Sequence, residues 1–242
     1  MNKKWIGIIG VLFCVSSAWA TLITDDFNRT AGYNSLGRLG TTVWTNGASH
    51  GQWGITNGSA SANLSLANGV VFNTSAETIS GNGSSFAFQA DVEAKAHAVW
   101  GGVMFNYQND GNYYVARYRS NIADSFQVTK YVDGVAIKLG ASGTGTLLQD
   151  VVYTIAVTSS NAYEFTVNVY EAGNPANVLI SNFIRTDAGG YNGGYAGFCQ
   201  NSTGLDKFRF DNFSLNVIPE PATIGLFGAS ATILFLLRRR HI

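Results

Sequence analysis

The chain has 242 residues, is poor in charged residues and has a formal net charge of zero. That neutrality hides basic ends, because residues 21–218 contain ten Lys and Arg against fourteen Asp and Glu, a net charge of −4. A mildly acidic domain with scattered charges lacks the basic surface that binding to nucleic acid requires, so that class of partner is excluded. Roughly 200 residues suffice for one hydrophobic core.

The chain opens with the pattern of a secretory signal peptide. Lys3 and Lys4 precede an apolar stretch over residues 5–15, and Ala18 and Ala20 supply the small residues of an A-x-A cleavage site. We expect a signal helix over residues 1–20, export through the Sec translocon and cleavage after Ala20. An uncleaved N-terminal anchor is the alternative.

Residues 21–218 carry the signals of strands and turns. The first third has short apolar islands between Gly, Asn, Ser and Thr, which indicates short strands joined by polar turns. From Phe86 onward apolar residues recur at period two, and no stretch keeps a helical apolar pattern for three turns. An antiparallel two-sheet sandwich is therefore predicted. The period-two runs are SFAFQADVEAK, AVWGGVMFNYQ, NYYVARYRS, SFQVTKYV, VVYTIAVTS and YEFTVNVYE.

Two local features refine this prediction. Asp133-Gly134 is typical of a two-residue turn that joins antiparallel strands, since Gly accepts the positive φ required there. In the last strand Phe208 and Phe210 are in one phase, whereas Phe213 and the apolar residues after it are in the other. Either both faces are covered, or a bulge near Asp211-Asn212 reverses the facing of the later residues.

The order of these strands and their aromatic residues carries a resemblance to known folds. The segments WGGVMFNYQNDGNYYVARYR, FQVTKYVDGVAIKL, YTIAVT, FTVNVY, GGYAGF and FRFDNFSL resemble a laminin-G-like or concanavalin-A-like lectin or glucanase jelly roll, over residues 24–217. The resemblance implies an all-β domain at residues 21–217 and says little about function, because one fold supports many functions.

One enzymatic alternative follows from that fold, because many jelly-roll hydrolases of β-glucans and galactans place their carboxylates on one strand. Asp91 and Glu93 are two residues apart and would face the same side of a strand. The usual signature also has flanking acids, and here position 89 is Gln and position 95 is Lys. Glycoside hydrolysis is therefore the runner-up to a solvated strand face.

A calcium site is the metal hypothesis. Asp25-Asp26 lies near the start of the domain and Asp211-Asn212 near its end, and the terminal strands of a jelly roll commonly pair. Hard oxygen ligands suit Ca²⁺, and laminin-G-like modules often carry such an ion. The alternative is that Asp25 and Asp211 are turn and bulge residues that accept hydrogen bonds from the backbone.

Aromatic residues suggest binding of carbohydrate, since sugar rings stack on exposed aromatic side chains. The candidates are Trp100, Tyr107, Tyr114 and Tyr118. Tyr114 and Tyr118 share one face of their strand, so they belong either to an exposed binding face or to the core. With a net charge of −4, the domain is expected to bind a neutral or weakly cationic glycan.

The end of the chain reads VIPEPATIGLFGASATILFLLRRRHI. An uncharged run over residues 222–237 would reach about 24 Å as a helix, slightly short of a bilayer core of about 30 Å. It resembles the PEP-CTERM sorting tail of Gram-negative bacteria through Pro219, Glu220 and Pro221, the apolar run, and Arg238, Arg239 and Arg240.

That resemblance implies a tail at residues 218–242, with a single transmembrane helix at 222–237 and a cytoplasmic basic end at 238–242. The tail would hold the protein in the inner membrane until an exosortase-type transpeptidase cuts near Pro-Glu-Pro. An ordinary single-pass anchor is the alternative. Together the patterns favour an exported, non-catalytic sandwich that binds polysaccharide, with a hydrolase or a purely structural surface or matrix protein as alternatives.

We predict that the mature protein lacks the residues beyond the Pro-Glu-Pro region, because a short apolar run follows a sorting motif. The intact mass of the protein purified from its native host measures this. A mature form that still contains Arg240 would contradict the prediction.

Overall fold

The computed structural model describes residues 21–28, 38–39, 42–46, 51–56, 58–64, 69–73, 85–141, 145–161, 164–191 and 193–218. The predicted cleavage residues Ala18 and Ala20 and the sorting tail, with its motif 219–221, its span 222–237 and Arg238–Arg240, lie outside these ranges. Within the ranges that the structure describes, no helix is long and apolar enough to cross a membrane.

Sixteen β-strands account for the regular structure of the described residues. They are β1 (Thr21–Asp25), β2 (Arg38–Leu39), β3 (Thr42–Asn46), β4 (Gly51–Thr56), β5 (Ser59–Leu64), β6 (Gly69–Asn73), β7 (Ser85–Ala94), β8 (Trp100–Asn109), β9 (Asn112–Arg119), β10 (Gln127–Val132), β11 (Val135–Ala141), β12 (Val152–Asn161), β13 (Glu164–Glu171), β14 (Asn174–Thr186), β15 (Tyr195–Gln200) and β16 (Gly204–Ile218).

The strands form two sheets of eight. The first has the order β14-β13-β12-β7-β16-β5-β4, with β1 also paired to β16, and the second has the order β11-β10-β9-β8-β15-β6-β3-β2. The pairings of β7 with β12 and β16, and of β8 with β9 and β15, are antiparallel. The predicted all-β, antiparallel two-sheet sandwich is confirmed.

Alternating burial along the strands explains how the two sheets pack. In β7 the residues Phe86, Phe88, Ala90, Val92 and Ala94 are buried, and the residues between them are more exposed. Because side chains alternate across a strand, this pattern directs one face of the sheet to the core and the other outward.

Stacked aromatic rings fill one part of the core. The ring centroid of Phe198, from the second sheet, lies 4.6 Å from that of Phe210 and 5.1 Å from that of Trp44. Trp44 also meets Phe213 edge-on at 4.9 Å. Such pairs contribute roughly 0.5–1.5 kcal/mol each beyond the burial of their area, and the pairs Phe198–Phe210 and Trp44–Phe213 pack the two sheets against each other.

The bulge in the last strand is confirmed. Asp211 pairs with Asp91 and Ser214 pairs with Gln89, so two residues of β16 stand opposite the single residue Ala90. Asn212 has a φ of 49°, in the left-handed region that Asn tolerates better than most residues. The extra residue returns the later part of β16 to the core phase. As a result Phe208, Phe210, Phe213 and Leu215 are all buried.

The predicted hairpin turn is also present. Val132 of β10 pairs with Val135 of β11, and the two residues between them, Asp133 and Gly134, have positive φ values of 48° and 80°. Positive φ at both central positions is the mark of the type I′ turn, whose twist matches that of paired strands.

Two of the four aromatic candidates for sugar binding lie in the core, which is the second of the two alternatives that the sequence left open for them. Tyr114 is 1% exposed and stacks on Phe105 at 5.4 Å. Tyr118 is fully buried and packs edge-on against Tyr153 and Phe208. The physical reason is that this face of β9 points to the facing sheet, where large rings bury more apolar area than a surface would allow.

We predict that Tyr118→Ala lowers the free energy of unfolding by about 3–5 kcal/mol, the usual cost of truncating a large buried aromatic side chain. Tyr118→Phe keeps the ring and its edge-on contacts, so its loss should be much smaller. Urea unfolding monitored by circular dichroism measures both. Equal stability of Tyr118→Ala and the wild type would show that the ring does not carry core packing.

Candidate functional site

A polar groove lies on the outward face of the first sheet, where β5, β7, β12 and β16 run side by side. We call it the acidic groove. Its volume is about 340 Å³, at the small end of the roughly 300–1,000 Å³ typical of ligand sites. It is lined by Ser59, Asp91, Glu93, Val152, Ala172, Arg209, Asp211 and Asn212.

Strand alternation and pairing bring the charged residues of the acidic groove together. Because Ala90, Val92 and Ala94 point to the core, Asp91 and Glu93 share the outward face of β7, as their spacing predicts. The pairing of β7 with β16 then sets Asp211 opposite Asp91 and Arg209 opposite Glu93. Four charged side chains from two strands therefore lie on one small surface.

Hydrogen bonds hold the centre of the acidic groove in place. The Thr154 hydroxyl donates to one carboxylate oxygen of Asp91 at 2.5 Å, and the Asn212 side-chain amide donates to the other at 2.8 Å. The backbone N–H of Asn212 donates to Asp211 at 2.7 Å. The bulge thus places one residue, Asn212, in contact with both carboxylates.

The cations at the margins of the acidic groove are paired with carboxylates. Arg209 donates through two nitrogens to Asp206, at 3.1 and 2.7 Å. Lys95 forms ion pairs with Glu93 at 3.0 Å and with Asp150 at 2.5 Å, and the hydrogen bonds that it donates, first to Asp150 and then to Glu93, raise the pKa of Lys95. Both of these cations are therefore already paired with carboxylates of the protein.

The Asp211 carboxyl group is the titratable group that the acidic groove perturbs most clearly. Burial raises its pKa from 3.8 to about 6, and the neighbouring carboxylates of Asp91, Asp26 and Asp25 add to the rise, against the N–H of Asn212. The group is ionised at pH 7 and mostly neutral at pH 5. Ligands with different charges are therefore expected to bind differently on the two sides of this pKa.

The two metal candidates, Asp25 and Asp211, lie on paired strands and have different hydrogen-bond partners. Asp25 is 1% exposed, and its two oxygens accept hydrogen bonds from the Phe27 backbone N–H at 2.9 Å and from the Trp44 indole N–H at 2.8 Å. β1 does pair with β16, as expected, but Asp25 stands opposite Phe213 and not Asp211. Both residues accept backbone hydrogen bonds, which is the alternative role that the sequence left open. Nowhere in the described ranges do three or more His, Cys, Asp or Glu side chains form a group that could hold a metal ion.

The two remaining aromatic candidates lie on the outward face of the second sheet. Trp100 is half-buried, and the guanidinium of Arg117 lies 4.9 Å from the centre of its ring. Tyr107 is 6% exposed, and its hydroxyl donates to Asp110 at 2.7 Å. The structure thus splits the four predicted aromatics between two opposite faces, so they do not form one stacking surface.

The sequence analysis named Asp91, Glu93 and Asp211 as candidates but did not predict that they lie in one groove. Asp211 was matched with Asp25 for a metal, and Asp91 with Glu93 for hydrolysis, whereas the sheet pairs Asp91 with Asp211. The signal that could have joined them is the predicted bulge, which fixes which residues of the last strand face outward. That β7 also pairs with β16 is fixed by the packing of the whole domain, which no local pattern in the sequence specifies.

Solved structures share the two-sheet sandwich fold. The carbohydrate-binding module CBM66 of Bacillus subtilis is 17% identical, with a TM-score of 0.55 over 71% of this chain and 94% of its own. A protein of unknown function from Shewanella oneidensis MR-1 is 12% identical, with a TM-score of 0.56 over 82% of this chain and 86% of its own. At such identities the likeness shows the fold alone. No protein-family model matches the sequence, and no curated protein sequence is detectably similar to it.

A xylan β-1,4-xylosidase from Bacillus halodurans C-125 is also similar, at 12% identity and a TM-score of 0.50. The match covers 79% of this chain but only 38% of the xylosidase. The likeness therefore concerns a part of that enzyme and does not bring its activity to this chain.

We predict that the stability of the protein depends on the ionisation of Asp211. The pKa of Asp211 is higher in the folded than in the unfolded chain, so between about pH 4 and 6 the folded state binds more protons. Stability from this group is therefore present at low pH and lost as the pH rises through about 6. Asp211→Asn lacks this loss, so its stability relative to the wild type should rise over that window. Urea unfolding at several pH values measures the difference, and a difference that is constant with pH would contradict the prediction.

Proposed function

We propose that this protein is an exported, non-catalytic β-sandwich that binds carbohydrate in the acidic groove. The observation that carries the proposal is a concave site in which carboxylates, an amide and a hydroxyl converge beside an apolar wall. A few converging polar groups beside apolar surface are the usual composition of a small-molecule site. The fold shared with a carbohydrate-binding module supports this class of ligand.

The chemistry of the acidic groove suits a sugar ring. Val152 is 38% exposed and, with Ala172, offers apolar surface to the C–H face of a ring. Asp91, Glu93 and Asp211 offer oxygens that accept hydrogen bonds from sugar hydroxyls, and hydrogen bonds to charged groups are about twice as strong as neutral ones. The fixed position of Asp91, between Thr154 and Asn212, lowers the entropic cost of binding.

The ends of the chain supply the cellular part of the proposal. The signal peptide predicts export, and the PEP-CTERM tail predicts retention in the inner membrane, cleavage by an exosortase-type transpeptidase and transfer to the cell surface or the medium. A glycan ligand would then be an extracellular or envelope polysaccharide.

A glycoside hydrolase is the second candidate, and one observation favours it. Asp91 and Asp211 stand opposite each other, and the pKa of Asp211 is raised to about 6, as is expected of a general acid. Against it, both oxygens of Asp91 already accept hydrogen bonds, which weakens this carboxylate as a nucleophile. The flanking acids of the jelly-roll hydrolase signature are Gln89 and Lys95 in this chain.

We predict that purified protein binds a defined class of glycans on an array, and that Asn212→Gly weakens this binding about tenfold. Glycine keeps the positive φ at this position but removes the amide that holds Asp91. A hydrogen bond to a charged group contributes roughly 1.5–3 kcal/mol, which is about tenfold or more in affinity. Isothermal calorimetry with the best glycan of the array measures the change.

Glu164→Gln is the matched control for this experiment, because Glu164 is an exposed carboxylate on β13 outside the groove lining. Its affinity should stay within about twofold of the wild type. Release of reducing sugar by the wild type, abolished by Asp211→Asn or Glu93→Gln, would favour the hydrolase. No binding to any glycan on the array would favour the structural surface protein.

A further inference from the structure

The carboxylates of the acidic groove keep acceptor capacity for a ligand. Glu93 accepts a hydrogen bond from Lys95 through one oxygen, and Asp211 accepts one from the backbone of Asn212 through one oxygen. Among the described residues, the second oxygen of each has no hydrogen bond. A carboxylate binds several donors, so both groups can accept further hydrogen bonds from a bound molecule.

The charge of the acidic groove is negative where a ligand would sit. Of its lining residues three are carboxylates and one is a cation, and that cation, Arg209, makes a two-point hydrogen bond with Asp206. Burial is the main cause of the raised pKa of Asp211, and repulsion from the carboxylates of Asp91, Asp26 and Asp25 adds to it. A positively charged group in the groove would relieve this repulsion.

We propose that the acidic groove selects sugars that carry a free, protonated amino group, that is, hexosamine units without an N-acetyl group. The proposal rests on carbohydrate binding at this same groove and names the class of sugar. An ammonium group donates three hydrogen bonds, and Asp91, Glu93 and Asp211 offer acceptors of opposite charge. The amine would bind between the carboxylates, and the ring would cover Val152 and Ala172.

N-acetylation removes the positive charge of the amine and two of its three hydrogen-bond donors. It replaces a cation with a neutral amide that donates one hydrogen bond, and it brings a methyl group towards the carboxylates. Asp211 is already partly desolvated, so covering it with an uncharged group would leave its charge without a partner. The groove should therefore discriminate against the acetylated sugar.

The apolar wall distinguishes a sugar from any other cation. Val152 and Ala172 lie on the β12 and β13 side of the groove, and the carboxylates lie on β7 and β16. A hexosamine presents a C–H face and an ammonium group on one rigid ring, whereas a lysine side chain presents its ammonium at the end of a flexible chain. A rigid ligand loses less conformational entropy when it binds.

Isothermal calorimetry with the purified full-length protein at pH 7 tests the proposal, with three tetrasaccharides as probes. They are a β-linked glucosamine tetramer, its fully N-acetylated form and a neutral glucose tetramer. We expect the glucosamine tetramer to bind at least about tenfold more tightly than the other two at low ionic strength. We expect this preference to shrink as salt screens the charges.

Substitutions in the acidic groove test which residues cause the preference for the free amine. Asp211→Asn should reduce the ratio of the affinities for the free and acetylated tetramers about tenfold, whereas Glu164→Gln removes one negative charge outside the groove and should leave the ratio unchanged. Asp91→Asn is a second test, in case the first variant does not fold. An unchanged ratio in both folded groove variants would overturn the proposal.

The outcomes separate this proposal from the proposed function. Tighter binding of the acetylated or neutral tetramer than of the glucosamine tetramer would overturn the amino-sugar proposal and leave carbohydrate binding in place. Binding of a tetralysine peptide as tight as that of the glucosamine tetramer would also overturn it, because charge alone would then explain the affinity. Absence of binding to all three sugars and to the glycan array would contradict both.

Discussion

The bulge in β16, where Asn212 and Phe213 stand opposite Ala90, is the feature on which the architecture of the first sheet depends. β16 is long, runs between β7 and β5, and needs to bury aromatic residues along its whole length. Without the extra residue, either Phe208 and Phe210 or Phe213 and Leu215 would face solvent. Exposing two such residues would cost several kcal/mol, at roughly 1.5–3 kcal/mol for each side chain. The left-handed φ of Asn212 therefore costs less free energy than exposing two core residues would.

The same bulge links the core to the edge of the fold. It turns Phe213 inward, where its ring meets Trp44, and the indole N–H of Trp44 donates to the buried carboxylate of Asp25. Asp25 also accepts from the backbone of Phe27. β1 and β3 are thus joined by a buried polar contact whose donors and acceptors are paired, which is the condition under which a buried carboxylate is tolerated, and the Phe213 ring packs β16 against it. These hydrogen bonds account for the burial of Asp25.

Local patterns in the sequence predicted the fold well, and the site only in part. The period-two alternation of β7, the type I′ turn at Asp133 and the bulge in β16 depend on neighbouring residues, so they can be read from one sequence. The face to which Tyr114 points depends on which sheet lies opposite it. The pairing of Asp91 with Asp211 joins residues 120 positions apart. Such long-range pairing is fixed by the packing of the whole domain, and no local pattern specifies it.

The bulge also explains how the cluster of carboxylates in the acidic groove is tolerated on a β-sheet. A regular β16 would place an ordinary outward residue beside Asp91, but the bulge inserts Asn212, whose amide and N–H contact Asp91 and Asp211 respectively. These hydrogen bonds offset part of the repulsion between like charges that face each other across paired strands, which is otherwise destabilising. Burial is the main cause of the raised pKa of Asp211, and the remaining repulsion from Asp91 adds to it. The raised pKa of Asp211, which stands opposite Asp91 on the paired strand, is the physical reason for proposing that this face binds a ligand.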